Sequence, residues 1–227
     1  MSAPDPALTQ VAGLPIADPD LAAAVSEGLD RVEELLRREV HSDYRFVTDT
    51  SLHLIEAGGK RFRPLLTLLA AQLAGGTSQD VVIAATSVEL VHLATLYHDD
   101  VMDEAVMRRG ADSANARWDN SVAILTGDYL FAHASRLVSQ LGPDAVRIIA
   151  ETFAELVTGQ MRETRGARDG EDAIEHYLAV VAEKTGSLIA TSGRFGAMFA
   201  GATPEQVAAM RRFGEIIGTA FQVSDDI

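Results

Sequence analysis

Three clusters in this chain combine residue types and spacing that could do chemistry. Asp99-Asp100-Val101-Met102-Asp103 is followed closely by Arg108-Arg109-Gly110. On a helix Asp99 and Asp103 stand at i and i+4, so their carboxylates share one face about a turn apart, with Asp100 beside them. Like charges near the end of an apolar helix are costly unless neutralised, and a hard divalent cation is the simplest neutraliser. Mg²⁺ fits, because it takes a few carboxylates and completes its shell with water and phosphate oxygens. A solvated acidic helix end would display the same residues. The second cluster, Gly58-Gly59-Lys60-Arg61-Phe62-Arg63-Pro64, joins two permissive glycines, three cations and a helix start, which together suit an anion. It is not a P-loop, since Arg61 and Phe62 stand where the metal-binding hydroxyl and its neighbours belong; a helix C-cap followed by a basic surface patch is the alternative. Third, Asp225-Asp226 follows Phe221-Gln222. Two acidic pairs on helices of one bundle can face each other across a cavity and hold several metal ions on one polyphosphate.

The elements that must position these residues read as helices. Asp18 to Val40 places Leu21, Val25, Leu29, Val32, Leu35 and Leu36 at helical spacing, with Asp18 or Asp20 as N-cap. Further helices are predicted at Tyr44 to Ala57, at Phe62 to Leu73 with Pro64 in the first turn, and at Ser78 to Asp103, apolar on most faces and hence buried. The stretch after it, broken by Gly110, reads as a loop with one short helix. Helices at Ser121 to Gln140, Asp144 to Arg165, Ala173 to Ala200 and from Pro204 onward complete the pattern. Strand signals are nearly absent, so one all-α domain over residues 1–227 is expected.

Composition narrows the function classes. The chain has 227 residues, 47% of them hydrophobic, enough for one sizeable core. Without cysteine there are no disulfides, thiolate metal sites or cysteine nucleophiles, so any metal is held by oxygen or imidazole. A net charge of −14 argues against non-specific binding to nucleic acid. The N-terminal stretch has neither the basic nor the continuous apolar region of a signal peptide, and no membrane span is expected; a soluble cytoplasmic protein is.

Five segments in order carry a resemblance: GGKRFRP at 58–64, HLATLYHDDVMDEAVMRRG at 92–110, Gly159-Gln160, Lys184-Thr185 and FQVSDD at 221–226. The chain resembles the trans-isoprenyl diphosphate synthases, medium- and long-chain polyprenyl diphosphate synthases among them, along essentially its whole length. The resemblance implies an isoprenoid-synthase-type helical bundle around a central cavity. It implies a homodimeric prenyltransferase that condenses isopentenyl diphosphate with an allylic primer, farnesyl or geranylgeranyl diphosphate, with three Mg²⁺ per site. By the same resemblance Asp99, Asp103 and Asp225 would ligate the metal, with Asp100 and Asp226 supporting. Lys60, Arg63, His92 and Arg109 would bind isopentenyl diphosphate; Arg108, Lys184, Thr185 and Gln222 would face the allylic diphosphate. Spacing agrees for His92, seven residues before Asp99 on the same helix face. His41, His53, His133 and His176 have no such company and read as structural.

In the family the residues four and five before the first Asp border the channel for the growing chain. Here they are Thr95 and Ala94, both small, which implies a product of roughly thirty to fifty carbons, a quinone side-chain precursor. The alternatives are a shorter-chain geranylgeranyl or farnesyl diphosphate synthase, a non-catalytic subunit of a heteromeric prenyltransferase, and a class I terpene cyclase. A cyclase would have no need of Lys60, Arg63 and His92. The family's second acidic motif runs DDxxD, whose last carboxylate would fall beyond Ile227. The chain is therefore expected to be C-terminally incomplete, without the helices that close the bundle, and to lack full activity as it stands.

Overall fold

The computed structural model describes residues 8–226. Helix α1 (Pro19–Glu39) starts where Asp18 caps it, its Oδ1 accepting from the N–H groups of Asp20 (2.9 Å) and Leu21 (3.1 Å). Helices α2 (Arg45–Glu56) and α3 (Phe62–Ala71) flank the glycine pair. The axis of the fold is α4 (Gln79–Met102), capped by Ser78 and buried on nearly every face. By length and composition α4 could cross a membrane, but 83% of its apolar window is buried against the rest of the protein. Leu90 and Leu93 are fully buried there, each contributing about 1.5–3 kcal/mol. Tyr97 ties α4 to α2: its hydroxyl donates to the Thr50 carbonyl (2.5 Å) and accepts from the Leu54 N–H (3.3 Å).

Helices α5 (Ala114–Arg117) and α6 (Asn120–Val138) pack against α4, and α7 (Pro143–Arg165) follows against α6, with a 3₁₀ turn, Ser139–Leu141, between α6 and α7. Then come α8 (Ala173–Val181), α9 (Ser187–Phe199) and α10 (Pro204–Asp225), the last opened by a reciprocal Thr203–Gln206 capping box. The result is an all-α bundle with one large core centred on α4. A smaller core, including Val11, Ile16, Val25 and Leu68, joins the N-terminal residues to α1 and α3.

Three expectations need correction. Residues 9–16 form a hairpin, β1 (Thr9–Val11) with β2 (Leu14–Ile16), and residues 107–112 form another, β3 (Met107–Arg108) with β4 (Ala111–Asp112). The second replaces the expected loop. Its two-residue turn, Arg109-Gly110, has φ of +53° and +79°, the double left-handed geometry that matches strand twist; Arg-Gly carries that signal more faintly than Asn-Gly. The expected single helix over Ala173 to Ala200 is interrupted by a π-helical turn, Ala182–Gly186, which separates α8 from α9. Such a turn keeps the chain helical, with i→i+5 in place of i→i+4 bonding, so in sequence the whole stretch still reads as one helix.

Candidate active site

Counting along α4 gives the first wall. Glu89, His92, Leu96, Asp99 and Asp103 recur at steps of three and four, so they lie on one helix face, and all five line a cavity of about 740 Å³. The hairpin and the start of α3 bring Lys60, Arg61, Arg63, Arg108 and Arg109 to the same cavity. Opposite stand Lys184 and Thr185 on the π-helical turn, Gln222 and Asp225 on α10, and Asp226 at its C-cap. The two halves meet where Phe62 stacks on Phe221, ring centres 5.1 Å apart, with the Lys60 ammonium 5.7 Å from the Phe221 ring.

The acidic residues do not behave alike. Burial pushes the Asp99 carboxyl up to about 6; Lys184 opposes that and Asp103 adds to it. Asp100 lines neither this cavity nor its apolar neighbour: it is fully buried, and its Oδ1 accepts from Arg108 at 2.6 Å. In this structure the partner of Asp100 is Arg108, which itself lines the cavity. At the C-cap of α10, Asp226 accepts from the Tyr177 hydroxyl (2.6 Å) and from the Gln222 amide (2.9 Å), and the Gln222 Oε1 accepts from Thr185 (3.1 Å). These bonds join α8, the π-helical turn and α10 beside Asp225. Lys184 donates to Glu163 at 2.5 Å.

Among the described residues no three carboxylates or imidazoles form a ready metal cluster. The donor set nevertheless fits Mg²⁺, which binds through one or two carboxylates and takes its other oxygens from water and phosphate. Asp99 and Asp103, a helical turn apart in the wall of a cavity rich in cations, offer such a pair. The raised carboxyl of Asp99 marks a charge that wants a partner.

At the basic end Arg61 is nearly buried, at φ +47°, and donates to Glu33, to Glu89 (3.1 Å) and to the carbonyls of Ile55 (2.9 Å) and Gly58 (3.3 Å). Arg109 donates to the Leu54 carbonyl (3.0 Å), in the last turn of α2, and to that of Gly58 just beyond it, which it shares with Arg61. Burial lowers Arg63 to about 10, Glu89 opposing and Arg109 reinforcing, and leaves its Nε without a partner. His92 is held well below the usual imidazole range by burial and then by Arg63 and Arg109, so it enters the cavity wall neutral. His53 anchors the hairpin that carries Arg108 and Arg109: its Nε2 donates to the Asp112 carbonyl (2.7 Å) and its Nδ1 accepts from Arg117 (3.1 Å).

A second, apolar cavity of about 650 Å³ shares Thr95, Asp99 and Leu156 with the first. Val101, Met102, Phe153, Val157 and Met161 wall it, and Phe153 packs on Phe131 with ring centres 4.2 Å apart. Thr95 thus stands at the junction of the two cavities. Ala94 does not: it is 1% exposed, packed in the main core, and lines neither cavity. A helix offers a cavity only a narrow face, and one residue along is a turn of about 100° away from it.

Sequence reasoning missed Glu89, Glu163, His176, Tyr177 and Phe221. Glu89 was findable by stepping back three from His92. His176 carried no signal, because only the return of α8 brings it to the cavity, where it sits 3.6 Å from Glu171. Gly159 shows its reason here: a Cβ on it would lie 2.5 Å from the Lys184 backbone nitrogen. Gly159→Ala gains about 1 kcal/mol of helix propensity but meets backbone that cannot yield, at a cost of about 1–3 kcal/mol. The expected outcome is a lower melting temperature together with a roughly tenfold fall in kcat/KM, read by thermal unfolding and steady-state kinetics.

The all-α bundle encloses a central cavity that joins an acidic wall, a basic end and an apolar extension. Comparison with known proteins identifies the fold as the isoprenoid-synthase type. Residues 45–227 match the polyprenyl synthetase family, and the chain belongs to it. It is 60% identical over 222 residues to a nonaprenyl diphosphate synthase of Mycobacterium tuberculosis, covering 96% of this chain and 66% of that one. Among solved structures it resembles a geranylgeranyl pyrophosphate synthase from Corynebacterium glutamicum complexed with calcium and isoprenyl diphosphate (56% identity, TM-score 0.84, 92% of this chain and 64% of that one). It also resembles a decaprenyl diphosphate synthase from Rhodobacter capsulatus (39% identity, TM-score 0.85, 91% and 64%). The chain spans just under two thirds of the length of these relatives.

Proposed function

We propose that this single all-α domain is the greater part of a Mg²⁺-dependent prenyltransferase that condenses isopentenyl diphosphate with an allylic diphosphate, farnesyl or geranylgeranyl, into a longer trans-polyprenyl diphosphate. The observation that carries the reading is one cavity with two chemically distinct anion sites and an apolar extension branching between Thr95 and Leu156. The allylic diphosphate belongs at the acidic wall, between Asp99 and Asp103 on α4 and Asp225 on α10, with Arg108, Lys184, Thr185 and Gln222 in reach. Mg²⁺ bound there, three ions as in the resemblance, would neutralise the departing pyrophosphate. Isopentenyl diphosphate belongs at the basic end, on Lys60, Arg63 and Arg109, with neutral His92 donating a hydrogen bond rather than charge.

The chemistry follows from charge. The allylic C1–O bond breaks and its electron pair leaves with pyrophosphate, while Arg108 and Lys184 stabilise the anion and the apolar walls keep water from the allylic cation. The alkene of isopentenyl diphosphate attacks C1. A proton then passes to the pyrophosphate, the new double bond forms, and the product is an allylic diphosphate five carbons longer. No side-chain nucleophile is required.

The apolar cavity supports a product of roughly thirty to fifty carbons, suited to a quinone side chain. The relatives include both nonaprenyl and geranylgeranyl synthases, so cavity shape is the more informative guide. We assign the active form as a homodimer in the cytoplasm, on the family resemblance.

The test is prenyl transfer with farnesyl diphosphate, labelled isopentenyl diphosphate and Mg²⁺, using protein from the complete reading frame. A ladder ending in long polyprenyl products supports the reading; a single stop at fifteen or twenty carbons overturns the length assignment. Arg63→Ala separates this function from a terpene cyclase. It should raise KM for isopentenyl diphosphate by about two orders of magnitude, the loss expected for a charged hydrogen-bonding partner of a phosphate. A cyclase would be indifferent.

A further inference from the structure

The basic end contains a carboxylate that no anion site would be expected to hold. Glu89 is 1% exposed, in the middle of α4, one turn before His92 on the face that lines the cavity. Its Oε1 accepts from Arg61 at 3.1 Å and lies 4.0 Å from the Arg109 guanidinium. Arg63 stands in the same field, its Nε buried without a partner. Three guanidiniums from two segments far apart in sequence thus converge on one buried carboxylate, and Glu33 of α1 grips the far side of Arg61.

We infer that Glu89 is a positioning residue: it serves as the fixed counter-charge that holds Arg61 and, through the shared field, keeps Arg63 and Arg109 together as a preformed cradle for the diphosphate of isopentenyl diphosphate. The inference rests on the proposed assignment of that substrate to the basic end. Three cations this close repel one another; burial is the main cause that lowers Arg63, and repulsion from Arg109 adds to it while Glu89 opposes both. Removing the central anion leaves buried guanidiniums uncompensated, which is costly and is relieved by their moving apart or toward solvent. Arg61 itself belongs to this scaffold rather than to the substrate, because its donors are taken by Glu33, Glu89 and two carbonyls. A preformed cradle spends no binding energy on gathering its donors.

The experiment compares Glu89→Gln, Glu89→Asp and Arg63→Ala with wild type in steady-state prenyl transfer, with melting temperature as the check on folding. Glu89→Gln keeps the shape and loses the charge. It is expected to raise KM for isopentenyl diphosphate about tenfold while KM for the allylic primer and kcat stay within about twofold, because the acidic wall lies farther along α4. Glu89→Asp keeps the charge on a shorter arm and should raise the same KM about threefold. If Glu89→Gln fails to fold, Glu89→Asp decides: a selective threefold rise supports the inference and an unchanged KM overturns it. A KM that falls in Glu89→Gln, equal changes for both substrates, or an Asp variant no better than Gln would also overturn it. If Arg63→Ala leaves KM for isopentenyl diphosphate unchanged, the substrate assignment itself has failed, an outcome distinct from a Glu89 effect missing where the Arg63 effect is present.

Discussion

Asp99→Asn is expected to lower kcat by about a thousandfold with Mg²⁺ present and, in the same protein stripped of metal, to raise stability. Both effects have one cause. The carboxyl of Asp99 is partly buried on α4 with Asp103 one turn away and Glu163 in its field, and burial sets it at about 6 against an ordinary value near 3.8. A charge held against its preference is poised for a cation. Losing one such group from a site that stabilises a departing anion typically costs two to three orders of magnitude in kcat. Linkage gives the second effect. A carboxyl whose folded pKa is raised binds its proton more tightly in the folded state, so stability is highest below the unfolded value and falls as pH rises from about 4 to about 6; above that the penalty is constant. Asn carries no such penalty. Urea unfolding of chelated protein at pH 4, 6 and 7.5 should therefore show the variant more stable at pH 7.5, with the difference vanishing toward pH 4. A variant less stable than wild type at every pH would mean that Asp99 holds the fold together.

That opposition between stability and function explains much of what was legible in the sequence. Asp99, Asp103 and Arg63 stand out because acidic residues near the end of an apolar helix, and cations crowded beside a glycine pair, conflict with local preference. His92 was legible because α4 is long and regular, so a count of seven returns to the same face. Regularity also made the helices readable, with N-caps at Asp18, Ser78 and Thr203 setting their starts. What remained hidden depends on approach in space. The Arg109-Gly110 hairpin turn, the π-helical turn at Lys184 and the arrival of Tyr177 and His176 at the cavity leave no periodic trace. Asp100 shows how adjacency differs from shared direction: adjacent helical residues point about 100° apart, and Asp100 turns inward to Arg108. Ala94 and Thr95 separate in the same way.

Thr95→Phe should shorten the product to about twenty to twenty-five carbons. Thr95 and Leu156 flank Asp99 where the two cavities join, so a tail growing from an allylic diphosphate held at Asp99 must pass between them. The Thr95 hydroxyl is returned to its own helix, donating to the His92 carbonyl at 2.8 Å, and leaves only a methyl group toward the passage. A phenyl ring there occupies the space that isoprene units beyond the fourth or fifth require, while the atoms that react, at C1 of the primer, lie on the other side of Asp99. With farnesyl diphosphate as primer, one condensation to twenty carbons should proceed within about threefold of the wild-type rate, and products beyond twenty-five carbons should disappear from the chromatogram. Ala94→Phe supplies the contrast. Ala94 faces the packed core, so the larger side chain has no void to enter and overpacks the α4 interior at about 1–3 kcal/mol, lowering the melting temperature without shortening whatever product is made. If both variants shorten the chain equally, the passage runs along a face of α4 that includes Ala94 and the junction at Thr95 is not the constriction. If neither does, the tail leaves by a route other than the cavity walled by Phe153 and Met161, and product length is set elsewhere.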